Sequence, residues 1–284
     1  MVASASAFLS ATQNPDGGWG YAPGQASTVE ATAAARLALR DLAADGSGVA
    51  WLRTAQHADG GWGIGAGDPE SGWPTAWAVL ALARLAGVTD AAVSRGVAWL
   101  LSVKTLQVAG DSLQRQVREQ FAIDATLRGW PWLPGEAAWV EPTALTLLAL
   151  ADAPPSATLQ DRMAEAVRLL ADRRCRGGGW NFGNPIMLGG QLPARAHPTA
   201  WALLALARVA PQVIRPEDVA TLRAEVRRDG GALALAWGML ALRVLGQDAA
   251  DTAAQLAAQQ RPDGSWNGNP FHTAVALLAE RGGF

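Results

Sequence analysis

Three side chains capable of proton chemistry stand at equivalent places in this chain of 284 residues. Glu30, Glu141 and His197 each lie two residues before a threonine, Thr32, Thr143 and Thr199, that heads an Ala/Leu-rich run. A carboxylate beside apolar surface has its pKa raised and can act as a general acid or base, with an imidazole as partner. Sister segments carry Trp73 and Phe271 at the same place, and Leu233 in a degenerate copy. Slightly deeper positions carry Trp77, Trp201 and Trp237 alongside Ala34, Leu145 and Val275. Aromatic faces attract cations as well as hydrocarbon. Trp73, Trp77, Trp139, Trp201, Trp237 and Phe271 are therefore candidates to cradle an apolar chain and a developing positive charge. Plainer readings stay open: the glutamates as helix caps, the aromatic residues as core filling. Asp68 and Glu70, in the loop before Trp73, either join the acids or solvate a turn.

What positions these residues is a repeat. Gln13-Asn14-Pro15-Asp16-Gly17-Gly18-Trp19 recurs as Gln56-His57-Ala58-Asp59-Gly60-Gly61-Trp62 and as Gln260-Arg261-Pro262-Asp263-Gly264-Ser265-Trp266. Arg174-Cys175-Arg176-Gly177-Gly178-Gly179-Trp180 is a partial copy, and Gly129-Trp130-Pro131-Trp132 and Asp229-Gly230-Gly231 are degenerate ones. Glycines supply left-handed backbone in such turns, Asp can bond its own backbone, and each Trp can staple adjacent repeats. After each turn come helix starts such as Trp73-Pro74-Thr75-Ala76, Glu141-Pro142-Thr143-Ala144 and His197-Pro198-Thr199-Ala200. Proline is harmless in a first helical turn. The runs that follow, such as 76–86, 144–151 and 200–210, are apolar nearly all round and read as buried helices. The segments before the turns, 91–104, 158–173, 216–228 and 248–260, place charges at helical spacing and read as half-exposed ones. Six helix pairs result, with an insertion at about 107–125 in the third. The expected fold is all-α, an α6/α6 toroid of six helical hairpins forming one domain over residues 1–284. Its mouth would be apolar and Trp-rich, with two acids and a histidine at the rim.

The Gln and Trp spaced six apart resemble the repeated Gln-Trp motif of squalene-hopene cyclases. With the Pro-Thr-Ala helix starts, the chain is similar to the terpene cyclase and protein prenyltransferase β-subunit superfamily over nearly its whole length. That resemblance implies a six-hairpin α/α barrel with an isoprenoid pocket at one mouth. It also implies a protonation-initiated cyclase or isomerase, since aligning the Asp-x-Asp-Asp-Thr-Ala motif of those cyclases on Thr143-Ala144 sets Glu141 at the proton donor's place. Trp139, Val140 and Pro142 occupy the motif's other three positions. His272-Thr273 is similar to the start of the last inner helix in protein prenyltransferases. The segment 230–245 lacks their Asp-x-Tyr-Cys, and Cys175 lies in a turn two repeats away, so zinc chemistry is not expected and no metal or other cofactor is assigned.

Composition narrows the partners. A net charge of -2 with 17% charged residues provides no basic surface for a phosphate backbone, which excludes nucleic acid. The lone Cys175 excludes an internal disulfide framework, and residues 1–12 lack a signal peptide's pattern, so a cytoplasmic protein is expected. The expected ligand is an isoprenoid or other apolar small molecule. Contact with a membrane surface, and a homodimer or partner protein over the mouth, stay open. Two other functions fit the same architecture: a non-catalytic lipid- or protein-binding barrel, and a carbohydrate-active toroid with Glu30 and Glu141 as its carboxylate pair.

Overall fold

The computed structural model describes residues 2–41 and 46–284. Its helices fall into two groups by burial. Nearly wholly buried are α2 (Val29–Ala38), α4 (Pro74–Leu85), α7 (Val140–Leu150), α9 (Ala196–Val209), α11 (Ala232–Val244) and α13 (Pro270–Arg281). Half-exposed are α1 (Val2–Ala11), α3 (Ser47–Thr54), α5 (Ala91–Ser102), α8 (Ala157–Asp172), α10 (Pro216–Asp229) and α12 (Ala250–Ala258). In chain order one exposed helix precedes each buried one, which gives the six expected pairs. The insertion holds one further helix, α6 (Asp111–Phe121), and a short hairpin of β1 (Ile186–Met187) and β2 (Gly190–Gln191) precedes α9. Neither is visible in the sequence pattern.

The described residues form two compact units, one drawn from Met1–Leu100 with Gly230–Phe284 and one from Leu101–Asp229. In the first, α2 packs between α4 and α13, and α13 also meets α11 and α1. In the second, α7 packs on α9, α8 lies on α7, α10 lies on α9, and α6 touches β1. Alanine dominates these contacts: Ala31, Ala33, Ala34, Ala35 and Ala38 of α2 are all buried. Small side chains let helix axes approach closely.

The recurrent turn is a hydrogen-bonded joint. The side-chain amide of Gln13 donates to the Gly17 carbonyl at 2.8 Å, Gln56 to Gly60 at 2.8 Å, and Gln260 to Gly264 at 2.9 Å. Asp16, Asp59 and Asp263 accept the N–H two residues on. Gly17, Gly60 and Gly264 have φ near +90° (92°, 94° and 87°), a conformation that suits glycine. The indole N–H of Trp19, Trp62, Trp180 and Trp266 then donates to the carbonyl ten residues back, of Leu9, Leu52, Leu170 and Leu256, at 2.6–2.7 Å. Each of these four indoles is at most 1% exposed, so the N–H needs such a partner.

The threonine of each helix start completes the joint. Thr32, Thr75, Thr143, Thr199 and Thr273 accept the backbone N–H of Trp19, Trp62, Trp130, Trp180 and Trp266 at 2.8–3.1 Å. Where a turn has lost its Asp, the following exposed helix supplies an acid: Asp218 of α10 accepts from Gly179 N, and Glu165 of α8 from Arg128 N. Arg174, standing where other copies have Gln, donates to Asp218 at 2.9 Å.

Candidate functional site

The buried helices set their proton-active residues at one register. Glu30, Glu141, His197 and Phe271 are each the second residue of α2, α7, α9 and α13, and Trp73 is the residue before α4. First-turn N–H groups have no partner within a helix, so Pro142 and Pro198 are tolerated at the third position. Capping does not account for Glu30, because Thr28 caps α2 by accepting from Ala31 N.

In the first unit Glu30 joins an aromatic cluster. The Tyr21 hydroxyl donates to Glu30 Oε2 at 2.6 Å, and the Trp77 indole also donates to this carboxyl. Tyr21 and Trp77 both meet the Phe271 ring edge-to-face, with centroids 6.1 and 6.0 Å apart. Behind them Trp237 lies 6.2 Å from Trp77, and Phe284 contacts both indoles at 6.1–6.3 Å. Burial raises the Glu30 pKa from 4.5 to about 7, against the two hydrogen bonds, which favour the carboxylate. Burial and the neighbouring Glu30 together push the Tyr21 phenol up, so it stays a donor. Glu30 keeps a partly accessible surface, whereas Trp77 and Trp237 are 1% and 0% exposed. These two indoles therefore brace the site from behind.

In the second unit Glu141, His197 and Trp201 come together. The Trp201 indole, one helical turn along α9, donates to His197 Nε2 at 2.8 Å. An indole N–H can only donate, so Nε2 is the acceptor of this bond. Glu141 Oε1 stands 3.8 Å from the same nitrogen, beyond hydrogen-bond distance. Trp201 is buried. Trp139 has a different setting: its ring lies against Gly183, where an added Cβ would be 2.9 Å from the indole. Together with Phe182, Met187, Leu192, Pro193 and Arg195 it lines an apolar pocket of about 320 Å³.

Trp73 is half-buried beside the start of α4. Asp68 spends its oxygens on the backbone N–H groups of Ile64 and Glu70, which lower its pKa, and so belongs to its loop. Among the described residues no group of three His, Cys, Asp or Glu side chains is placed to hold a metal ion. No described helix is long and apolar enough to cross a membrane.

Sequence reasoning missed Tyr21, Phe284 and the Phe182–Leu192 wall of the pocket. Tyr21 is the chain's single tyrosine, and it lies in a loop outside the helical register that picked out the others.

No family model matches the chain, and no curated protein does. Solved structures do. Type II terpene cyclase MstE from Scytonema is 17% identical, with 98% of this chain and 95% of that one covered and a TM-score of 0.64. The same cyclase bound to its substrate, geranylgeranyl dihydroxybenzoate, matches at 0.62. A protein from Actinoplanes is 19% identical over 99% and 98% of the two chains, at 0.65. Salmonella α-2-macroglobulin matches 98% of this chain but only 17% of its own, at 14% identity and 0.54. The chain thus has the terpene cyclase-like all-α toroid fold. The macroglobulin match places that fold inside a different kind of protein, so activity rests on side chains.

Proposed function

We propose that this terpene cyclase-like toroid binds a polyprenyl substrate and starts its cyclisation or isomerisation by protonation, with Glu30 as the proton donor. The carrying observation is the Glu30 carboxyl, pushed up to about 7 and held by Tyr21 and Trp77 beside the Phe271 ring. With its pKa at about 7, the carboxyl keeps its proton below neutral pH. Tyr21 and Trp77 act on the conjugate base: as the proton leaves, their hydrogen bonds become charge-assisted and strengthen.

In the first step the Glu30 O–H bond breaks and a C–H bond forms at the less substituted carbon of an alkene. The positive charge falls on the tertiary carbon, where the faces of Tyr21 and Phe271 attract it. Attack by a second alkene of the chain forms the ring, and loss of a proton, returned to the Glu30 carboxylate, ends the cycle. Glu141 with His197 is proposed as a second polar pair, at the same register of its own helices. Within the second unit, the Trp139 pocket is of a size and polarity to take a hydrocarbon group.

The test is incubation of the pure protein with squalene, geranylgeranyl diphosphate and a geranylgeranyl-substituted aromatic acid. A product isomeric with its substrate should form, vanish in Glu30→Gln, and persist in Glu141→Gln. Loss in Glu141→Gln with full activity in Glu30→Gln would transfer the acid's role to Glu141. A second reading, non-catalytic binding of an apolar molecule, is favoured by the full burial of Trp77 and Trp237. Native mass spectrometry showing retained lipid, with no turnover of any substrate, would select it.

A further inference from the structure

The second unit also carries a cluster of cations. Lys104, Arg128 and Arg162 come from three separated segments and line one pocket of about 440 Å³ between the end of α5 and the first turns of α8. Arg162 is 5% exposed. Its guanidinium stacks over Trp130, 4.4 Å from the ring centroid, and Nη2 donates to the Gly129 carbonyl at 3.2 Å. Its Nη1 is buried without a hydrogen-bond partner among the described residues.

A buried guanidinium left this way is costly. Glu165 attracts the Arg162 charge but gives Nη1 no hydrogen bond, since that carboxylate bonds Arg128: it accepts from Nε at 2.7 Å, from Nη2 at 2.6 Å and from the backbone N–H at 3.0 Å. Lys104 stands exposed at the rim. Thr158 adds a hydroxyl, and Asp161, exposed, is the acid on the lining. Three cations against Asp161 and Glu165 leave a positive balance centred on Arg162 and Lys104.

We propose that this pocket is an oxyanion site that takes a phosphate-type group, bound by Arg162 and Lys104 with Thr158 as hydroxyl donor. Two cations converging on one cleft match a group with more than one negative charge better than a single carboxylate. A planar guanidinium and an ammonium are the side chains that serve such oxygens. The proposal is independent of the Glu30 chemistry.

The test is calorimetric titration of the full chain with inorganic pyrophosphate and inorganic phosphate, alongside sedimentation with phosphatidic acid and phosphatidylcholine vesicles. Pyrophosphate should bind saturably, about tenfold or more weakly in Lys104→Gln and in Arg162→Met, and more tightly in Asp161→Asn. Lys104 and Asp161 are exposed, so their variants decide the matter if Arg162→Met fails to fold. Lys104-dependent binding to phosphatidic acid vesicles would support the site and identify a lipid headgroup as its source. Binding of pyrophosphate alone would support it with a soluble phosphate compound. Saturable binding that ignores Lys104→Gln would mean an adventitious ion only and overturn the proposal, as would no binding of any probe at millimolar concentration.

Discussion

Replacing Glu30 by Gln should stabilise the protein at alkaline pH and lose that advantage in acid. Raising this carboxyl from 4.5 to about 7 corresponds to about 3 kcal/mol, at about 1.36 kcal/mol per tenfold change in proton affinity. Above pH 7 the residue is ionised both folded and unfolded, and the folded state bears this whole cost. Between pH 7 and 4.5 the folded protein holds a proton that the unfolded chain does not, so stability rises as pH falls. Below 4.5 both states are protonated and the term is flat. Relaxation of the surrounding groups around the charge trims the cost toward about 2 kcal/mol. Gln removes the charge but is a poorer acceptor for Tyr21 and Trp77, which returns about 1 kcal/mol. The variant should therefore be more stable than wild type by about 1–2 kcal/mol at pH 8 and slightly less stable at pH 5. Urea unfolding followed by circular dichroism, run on both proteins at both pH values, reads this directly. A difference independent of pH, or a loss of stability at pH 8, would refute the placement of a neutral carboxyl at Glu30.

Thr75→Val keeps the shape of a wholly buried side chain but strands the Trp62 N–H, bonded at 2.8 Å. It should cost about 1–3 kcal/mol in a denaturant titration. Asp218→Asn removes the charge facing the buried Arg174 guanidinium, and about 3–5 kcal/mol should be lost, measured the same way. Gly183→Ala drives a methyl into the Trp139 ring. It should cost about 1–3 kcal/mol and weaken binding of an apolar fluorescent probe to the pocket behind that ring.

The alternation of half-exposed and buried helices was legible because its signals are local and repeated: Gly-Gly-Trp turns, proline in first turns, and apolar runs of helical length. Observed bounds such as Ala157–Asp172 fall within a residue of those read from periodicity at 158–173. The joint's donors and acceptors were legible only in part. Gln and Asp recur at fixed offsets, but Asp218 and Glu165 replace a missing Asp from other helices, across a distance that no sequence spacing records.

The site was legible as a register and not as an arrangement. Standing two before each threonine identified Glu30, Glu141, His197, Trp73 and Phe271. It could not separate a carboxyl bonded by Tyr21 and Trp77 from one lying 3.8 Å from a histidine. Nor could it separate Trp139, against a pocket, from Trp237, wholly buried. Those distinctions depend on what the third dimension brings near. α6 escaped notice because it lies in the insertion and buries none of its residues.

The most direct measurement of proton donation by Glu30 is a reaction run in heavy water with the polyprenyl substrate that turns over. The carboxyl exchanges its proton with solvent, so the first bond formed to carbon would carry deuterium. Proton donation by Glu30 gives a product with one deuterium, at the carbon that was the less substituted end of the attacked alkene, and none from Glu30→Gln. A product free of deuterium, or the same labelled product from Glu30→Gln, would contradict it.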